Sequence, residues 1–500
     1  GRSAGIPRAD KVSVNRNLRL SSIEWVGFDM DYTLAIYNQE QMDAISIDLT
    51  AERMVRRGYP SYLRHLSYDA RFPIRGLLVD KKLGHVLKMD RHKGVLKGYH
   101  GLRLLAQDEL DELYHHKRIR PHTPRYHWID TLFALSEVTA YSAIVDVLER
   151  RGEHVDYANV FTDVRTSIDE AHRDGSVYTH VTADFPRYVA RDTELARTLH
   201  KFRSAGKKLF LLTNSPTSYS DQVMRFLLDG AMAEYPSWQH YFDIVICAAQ
   251  KPAWFQNGNA FLERDGDTTR AVKGGLERGR IYENGNLVDF ERLVGVRGSS
   301  VLYVGDHIYG DILRSKKETS WRTAMIIQEL DAEIAALEVC AIELGRIREL
   351  HEQRAKIEDE LRFYQAQFKE LGKLANGDGS DRVADRARVK RAIDRLRAEL
   401  RRIDQEHALL HERVDRTFHP YWGSLLKEEN EMSGFGLQVS SYADIYMRRV
   451  SSLLGYSPQQ FFRSPHDLMP HELCPPRRAS RSSVKPPAFS FGYGSGRDRH

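Results

Sequence analysis

Two aspartates one residue apart follow a short apolar stretch near the start of the chain, and this feature constrains the fold most. Residues 23–28 are apolar and β-prone, which predicts a buried strand, and Asp29 and Asp31 come directly after it. Open α/β sheets bind ligands at the carboxyl ends of their strands, so both carboxylates are candidates for nucleophilic or acid–base chemistry. Standing alone, such a pair is better explained as a metal-free acidic turn.

Three later apolar stretches also deliver polar side chains just past their ends. Residues 208–212, 241–247 and 301–304 each read as a strand. The side chains that follow them are Thr213 and Asn214, then Lys251, then Asp306 and Asp311. Hydroxyl, amide and ammonium donors stabilise charge on phosphoryl oxygens, and carboxylates bind hard divalent cations. The set therefore favours phosphoryl transfer over a simple acidic turn.

The order D-x-D-x-T, Thr, Lys and G-D-x-x-x-x-D resembles the haloacid dehalogenase-like (HAD) phosphatase superfamily. The resemblance implies an α/β fold with a Rossmann-like parallel-sheet core. Asp31 and Thr213 are about 180 residues apart, far more than the single crossover helix that neighbouring parallel strands need. We therefore expect a large inserted cap domain in this interval, with a hairpin at residues 77–90 and a helix at residues 128–151.

We expect six regions along the 500-residue chain. They are a flexible N-terminus (1–19), the HAD core (20–50 and 190–330), the cap (51–189), a helical hairpin (331–418), a C-terminal segment packed on the core (419–473) and a disordered basic tail (474–500). The hairpin follows from two heptad-patterned stretches joined by a glycine-rich break at 376–380, as in an antiparallel coiled coil. Its apolar stripes either pack on the body of the protein or project to mediate oligomer contacts.

Longer matches narrow the resemblance to the cytosolic purine 5′-nucleotidases. They lie at residues 29–35, 131–133, 163–165, 303–313, 315–317, 321–323, 442–446 and 468–472. The resemblance implies a magnesium-dependent hydrolase that removes the 5′-phosphate from purine nucleoside monophosphates, with IMP and GMP preferred. It also implies a homo-oligomer, a dimer or a tetramer.

The motifs predict a two-step reaction. Asp29 would attack phosphorus to give an aspartyl-phosphate, and Asp31 would protonate the leaving 5′-oxygen and then activate water. Mg²⁺ would be held by Asp29, Asp306 and the main-chain carbonyl of Asp31, while Asp311 would hold a metal-bound water or orient Lys251. As alternatives, Lys251 could be a surface lysine, and Asp306 and Asp311 could cap the following helix.

Thr213 and Asn214 are the predicted neutral donors to the phosphoryl oxygens, next to the Lys251 ammonium.

Three other functions remain open, two of them enzymatic and one in assembly. A nucleoside phosphotransferase would use the same aspartyl-phosphate, a HAD phosphatase would act on another small phosphate ester, and an assembly module would retain only a vestigial site.

Base recognition is expected in the inserted region. Arg165, Asp169 and His172 are spaced so that one helix face presents all three, although spacing alone favours a surface ion pair. The resemblance implies that Phe133 stacks on the purine and that Arg165 and Asp169 read its 6-oxo edge. A 6-amino group would donate where arginine needs an acceptor, which disfavours adenine.

Two positions depart from the family pattern. Asp130 stands where the family has an asparagine near the stacking phenylalanine, and Tyr178 stands where a phosphate- or sugar-contacting lysine would align. Asp130 remains a candidate substrate-binding residue. Affinity for phosphate and tolerance of deoxyribose are therefore open.

Composition adds limits to the partners. The net charge of +5 is small for 500 residues, so nucleic acid is not expected as a partner. No apolar run approaches the roughly 20 residues of a membrane span, and the N-terminal residues lack an apolar signal core. The three cysteines show neither zinc spacing nor a disulfide framework. A cytoplasmic location is expected.

Overall fold

A ten-stranded sheet forms the centre of the computed structural model, which describes residues 5–115, 119–256, 258–296, 298–313, 319–373 and 380–465. The strands, in chain order, are β1 Ser13–Val14, β2 Leu18–Arg19, β3 Trp25–Phe28, β4 Ile36–Tyr37, β5 Leu77–Asp80, β6 His85–Met89, β7 Val95–His100, β8 Arg103–Leu104, β9 Tyr126–Ile129, β10 Val189–Ala190, β11 Lys208–Leu212, β12 Ile244–Cys247, β13 Phe261–Asp265, β14 Thr268–Ala271, β15 Ile281–Asn284, β16 Val301–Gly305, β17 Arg322–Ile326, β18 Lys427–Glu428, β19 Glu431–Met432, β20 Ile445–Met447 and β21 Phe461–Phe462. The helices are α1 Gln39–Arg56, α2 Gln107–Leu110, α3 Leu135–Arg150, α4 Tyr157–Arg173, α5 Ser176–Ala183, α6 Phe185–Tyr188, α7 Leu195–Ser204, α8 Thr217–Leu228, α9 Leu287–Val294, α10 Leu330–Val339, α11 Ala341–Lys373, α12 Ser380–Phe418 and α13 Gly434–Tyr442.

The central sheet has the order β1-β20-β17-β16-β3-β11-β12-β15-β13-β14. The run from β20 to β15 is parallel, and antiparallel strands close both edges. Strand β3 lies in the middle, and all four of its residues are buried, as parallel strands covered on both faces require. The predicted α/β fold with a parallel-sheet core is therefore confirmed.

Gly27 is a close-approach position in the central strand. A Cβ atom added there would lie 2.1 Å from the Phe210 ring of the neighbouring strand β11. Only glycine lets the Phe210 ring pack flat over β3, which explains a glycine inside an otherwise apolar strand. The packing fixes the strand that ends at Asp29.

The N-terminal residues differ from the sequence prediction. Ser13 and Val14 pair with β20, and Leu18 and Arg19 pair with β21. Leu18 is fully buried. The pairing of β1 with β20 supplies hydrogen-bond partners for an otherwise open edge of the central sheet. The prediction of a flexible segment is therefore wrong for residues 13–19.

The region between β3 and β11 contains a second sheet and a helical layer. The sheet is antiparallel with the order β8-β7-β6-β5-β9, and helices α1, α3 and α4 pack against one another. The predicted hairpin at 77–90 is present as β5 and β6. The helix predicted from residue 128 begins instead at Leu135, because residues 126–129 pair with β5 as strand β9.

Helices α11 and α12 form the helical hairpin. Arg346 pairs with Glu406 at 2.7 Å and Arg354 with Asp404 at 3.0 Å, so the two helices run antiparallel. Leu350, Ile357, Leu396 and Ile403 form a buried cluster between them. The segment that joins the helices, the matches at 315–317 and 468–472, and the basic tail at 474–500 lie outside the described residues.

The segment after the hairpin packs on the rest of the chain. The Trp422 indole is buried and donates to the main-chain oxygen of Phe72 at 2.6 Å. The buried Lys88 ammonium lies 2.8 Å from a Glu428 carboxylate oxygen. No helix within the described ranges is long and apolar enough to cross a membrane.

Candidate active site

Three buried carboxylates meet at the carboxyl ends of two neighbouring strands. Asp29 follows β3, Asp306 follows β16, and Asp311 lies in the helical turn Ile308–Leu313 that comes next. One carboxylate oxygen of each lies within 4.8 Å of the others. The structure thus brings the predicted ligands Asp29 and Asp306 together with Asp311, which was predicted to hold a metal-bound water or to orient Lys251. A metal-free acidic turn does not describe this arrangement.

Lys251 closes this group from the loop after β12. Its ammonium lies 2.9 Å from Oδ1 of Asp29 and 2.6 Å from Oδ1 of Asp311, and it donates to the Tyr303 hydroxyl at 2.9 Å. The side chain is only 3% exposed, so the alternative of a surface lysine is wrong. Lys251 is instead the cation of the acidic group.

Asn214 reaches the site through Lys251. Its side-chain amide donates to the Lys251 main-chain oxygen at 2.9 Å, and its amide oxygen accepts from the Lys251 main-chain N–H at 2.6 Å. These two bonds position the lysine loop, so the predicted role as a phosphate donor has no support from these contacts. Thr213 is fully buried at the end of β11, where its hydroxyl accepts from the Ser215 N–H at 3.1 Å.

The group carries more negative than positive charge. Burial raises the pKa of Asp29 well above its usual range, because desolvation and the carboxylates of Asp311, Asp306 and Asp31 outweigh the Lys251 ammonium. Burial and Asp311 raise the pKa of Asp306 to about 7. Oxygen donors in excess of local positive charge are the chemistry that a hard divalent cation needs, so the residues fit such an ion.

Asp31 lies outside the carboxylate triad and has its own hydrogen bonds. Oδ1 accepts from the Tyr37 hydroxyl at 2.6 Å, and Oδ2 accepts from the Ser215 hydroxyl at 2.5 Å. The hydroxyls of Tyr37 and Tyr219 are 2.9 Å apart. Burial raises the pKa of Asp31 even though Ser215 and Tyr37 oppose the shift. A raised pKa is what a proton donor needs near neutral pH.

Arg75 and Ser215 belong to the site but escaped the sequence analysis. Arg75 is fully buried and donates to the main-chain oxygen of Asp306 at 2.7 Å, while a two-pronged ion pair with Glu329 holds its guanidinium. No local pattern marks Arg75, because its partners are more than 200 residues away in the chain. The sequence pattern could have identified Ser215, because it follows Thr213 by two residues at the end of the same strand.

A cavity of about 510 Å³ opens beside the carboxylates. His307 links the two, because its main-chain N–H donates to Oδ2 of Asp311 at 3.3 Å and its ring Nε2 lies 3.3 Å from Oδ2 of Asp130 on the cavity wall. Arg165 donates to Nδ1 of His127 at 3.1 Å. The residues that line the cavity are Pro121, His122, Thr123, Pro124, Tyr126, His127, Trp128, Asp130, Thr131, Ala134, Glu137, Arg165 and His307. Two predicted substrate-binding residues, Asp130 and Arg165, therefore share its wall.

Glu137 is a cavity residue that the sequence analysis missed. Burial raises the pKa of its carboxyl group to about 7, and its buried Oε2 has no hydrogen-bond partner among the residues that the structure describes. The nearest nitrogen in an ion-pair geometry is Nε2 of His127, at 3.7 Å. Burial also lowers the pKa of His127 to about 4, which keeps that ring neutral. An unpaired carboxylate oxygen in a cavity wall is a ready acceptor for a ligand N–H.

The other predicted base-recognition residues lie apart from the cavity wall. The Phe133 ring packs edge-on against His172 with centroids 5.7 Å apart, and against Tyr32 at 4.8 Å. Asp169 is exposed on helix α4 and is absent from the residues that line this cavity. Tyr178 stacks on Tyr219 with centroids 4.2 Å apart, next to the Asp31 hydrogen bonds. The three residues predicted to share one helix face therefore have different surroundings. Arg165 lines the cavity, His172 packs against the Phe133 ring, and Asp169 is exposed to solvent.

Solved structures that match this chain include a predicted phosphoglycolate phosphatase from Haemophilus somnus. It is 12% identical, and the match covers 61% of this chain and 85% of that one with a TM-score of 0.26. A 2-haloacid dehalogenase from Pseudomonas syringae is 14% identical, with 61% and 87% covered and a TM-score of 0.23. At these scores the likeness adds nothing to the fold described above.

Relatives in sequence are much closer. A 5′-nucleotidase domain-containing protein of Dictyostelium discoideum is 27% identical over 474 residues, covering 92% of this chain and 74% of the relative. The 5′-nucleotidase domain-containing protein 2 of Rattus norvegicus is 30% identical over 482 residues, covering 92% and 80%. The family model described as "5′ nucleotidase family" matches residues 12–474. This chain is a phosphoric monoester hydrolase and belongs to the 5′ nucleotidase family.

Proposed function

We propose that this protein is a magnesium-dependent 5′-nucleotidase that hydrolyses purine nucleoside monophosphates, IMP and GMP preferred, through an aspartyl-phosphate on Asp29. The observation that carries the proposal is the position of Asp29. Its carboxylate lies against both the Lys251 ammonium and the Asp306–Asp311 pair, and His307, the residue after Asp306, lines a cavity large enough for a nucleoside.

The residues divide the reaction between them. Asp29 attacks phosphorus, and Lys251, whose ammonium lies 2.9 Å from Oδ1 of Asp29, stabilises negative charge on the phosphoryl oxygens. Asp31, held by Tyr37 and Ser215, gives its proton to the departing 5′-oxygen and then takes one from the attacking water. Asp29 and Asp306, with Asp311 beside them, would hold Mg²⁺, which would supply the charge neutralisation that lets a phosphate dianion approach three carboxylates.

The cavity supports the base preference. Arg165 and Glu137 are on the same wall, so one offers N–H donors and the other an unpaired acceptor. The 6-oxo group of hypoxanthine or guanine accepts from an arginine, whereas the adjacent ring N–H donates to a carboxylate. Adenine presents the opposite pattern at these positions, and this difference favours IMP and GMP over AMP.

The test is phosphate release from IMP, GMP, AMP and CMP, measured with magnesium and after chelation. We expect release that needs magnesium, favours IMP and GMP, and is abolished in Asp29→Asn. Asp267→Asn is the matched control, because it makes the same chemical change at a fully exposed loop position. Equal release from all four nucleotides would remove the base preference but keep the phosphatase. No release from any of them would overturn the proposal.

Assembly into a dimer or tetramer and a cytoplasmic location stay predictions from the family resemblance. Sedimentation of the wild-type chain measures the first directly.

A further inference from the structure

Two histidines face each other across the helical hairpin. Nε2 of His351 on α11 and Nε2 of His407 on α12 are 3.1 Å apart. The side-chain amide of Asn430, in the turn between β18 and β19, lies 3.1 Å from the same His351 nitrogen. Three segments of the chain thus bring three polar side chains to one point.

Hydrogen bonding alone does not satisfy this arrangement. An imidazole nitrogen has either one proton or one in-plane lone pair, so Nε2 of His351 makes one good hydrogen bond. Nε2 of His407 and the Asn430 amide each lie 3.1 Å from this nitrogen, and it cannot form a good hydrogen bond with both. The oxygen and nitrogen of an asparagine amide are assigned and not observed, so Asn430 can present its oxygen to the same point. A cation there would satisfy all three groups together.

We propose that His351, His407 and Asn430 bind a borderline divalent transition metal, Zn²⁺ as the natural candidate, with water completing the coordination. Two nitrogen ligands about 2.0–2.1 Å from one zinc ion lie roughly 2.8–3.4 Å apart at angles of 90–109°. The observed separation of 3.1 Å falls within that range.

The surroundings suit a bound cation. The carboxylate of Glu429 adds negative charge near His407. Arg354 is also near His407, but its guanidinium forms ion pairs with Glu358 at 2.9 Å and Asp404 at 3.0 Å. The His411 ring follows His407 on α12 with centroids 5.8 Å apart.

The site would be structural and not catalytic. It joins both helices of the hairpin to the β18–β19 turn of the C-terminal segment, so metal binding would fix the hairpin relative to that segment. Imidazole ligands select zinc, copper or nickel, whereas the all-oxygen carboxylate triad suits magnesium. The two metal sites of the chain are therefore chemically distinct.

The experiment titrates Zn²⁺ into the full chain by calorimetry with the carboxylate site saturated by Mg²⁺. We expect one high-affinity zinc per chain in the wild type. His351→Ala and His407→Ala should each weaken that binding at least tenfold. His180→Ala is the control, because His180 is exposed on α5 and its Nδ1 only contacts the Ser176 main-chain oxygen. Circular dichroism checks that each variant keeps its helices.

Hydrogen exchange gives a second readout. Zinc should slow amide exchange in α11 and α12 of the wild type and of His180→Ala, and leave exchange unchanged in the two hairpin variants. The proposal is overturned if the wild type binds no zinc under these conditions. It is equally overturned if both hairpin variants bind zinc with wild-type stoichiometry and affinity, because the ion would then be held elsewhere.

Discussion

Replacing Lys251 with methionine tests the electrostatics of the site most sharply. Methionine keeps most of the length of the side chain but removes the ammonium that contacts Asp29 at 2.9 Å and Asp311 at 2.6 Å. In the proposed reaction the same ammonium faces the oxygens of the transferring phosphoryl group. The substitution therefore removes one fixed donor from the transition state and leaves the nucleophile in place.

The expected magnitude follows from these contacts. Loss of one preorganised donor to a developing charge costs about 10²–10³ in kcat, or roughly 2.7–4 kcal/mol. The unpaired carboxylates also destabilise the fold, by no more than about 3–5 kcal/mol, the usual cost of breaking a buried ion pair. Burial already raises the pKa of Asp29 well above its usual range and that of the neighbouring Asp306 to about 7, so proton uptake by these groups limits the loss. The destabilisation should therefore grow as the pH rises above 7.

The assay is kcat for IMP at saturating magnesium, together with urea unfolding at pH 6 and pH 8. Lys273→Met, an exposed lysine in the loop after β14, is the control for loss of one positive charge. Activity of Lys251→Met within threefold of the wild type would refute the reasoning, because a buried cation that contacts the nucleophile would then have no part in the chemistry.

Three further predictions concern the groups around the site. Tyr37→Phe removes a 2.6 Å hydrogen bond to Asp31, so kcat should fall about tenfold, or about 1.4 kcal/mol, and an unchanged kcat would contradict the positioning role. Arg75→Met leaves Glu329 unpaired and frees the Asp306 main-chain oxygen, so the free energy of unfolding should fall by about 3–5 kcal/mol in urea titration; no change would contradict the ion pair's importance. Burial raises the pKa of Asp43 to about 8, so the folded state keeps a proton that the unfolded chain loses above about pH 4. Asp43→Asn should therefore gain stability over the wild type as the pH rises from 4 to 8, and a constant difference across that range would contradict the shift.

Sequence alone predicted the part of the site that strand ends deliver. Asp29, Lys251 and Asp306 each follow a buried parallel strand, and parallel strands end at one edge of a sheet. Their meeting therefore follows from the fold class once the strands are recognised. The hairpin was predictable for a similar reason, because its apolar repeat is local and continuous.

The remaining features depend on contacts between distant parts of the chain. Residues 126–129 have no local strand signal that outweighs the helical pattern after them, and they become a strand only because β5 offers a partner. Ser13 pairs with Tyr446 across almost the whole chain. Arg75 likewise has its role because it contacts Asp306 and Glu329, and no residue near it in the sequence indicates these contacts.

Trapping the phosphorylated enzyme tests the central claim most directly. The wild-type chain is mixed with IMP labelled in its phosphate and with magnesium, quenched in acid within milliseconds, and analysed by peptide mass spectrometry. We predict one phosphoryl group on Asp29, present before free phosphate accumulates and absent in Asp29→Asn. Release of labelled phosphate with no phosphorylated peptide at any quench time, or label on a residue other than Asp29, would contradict the account.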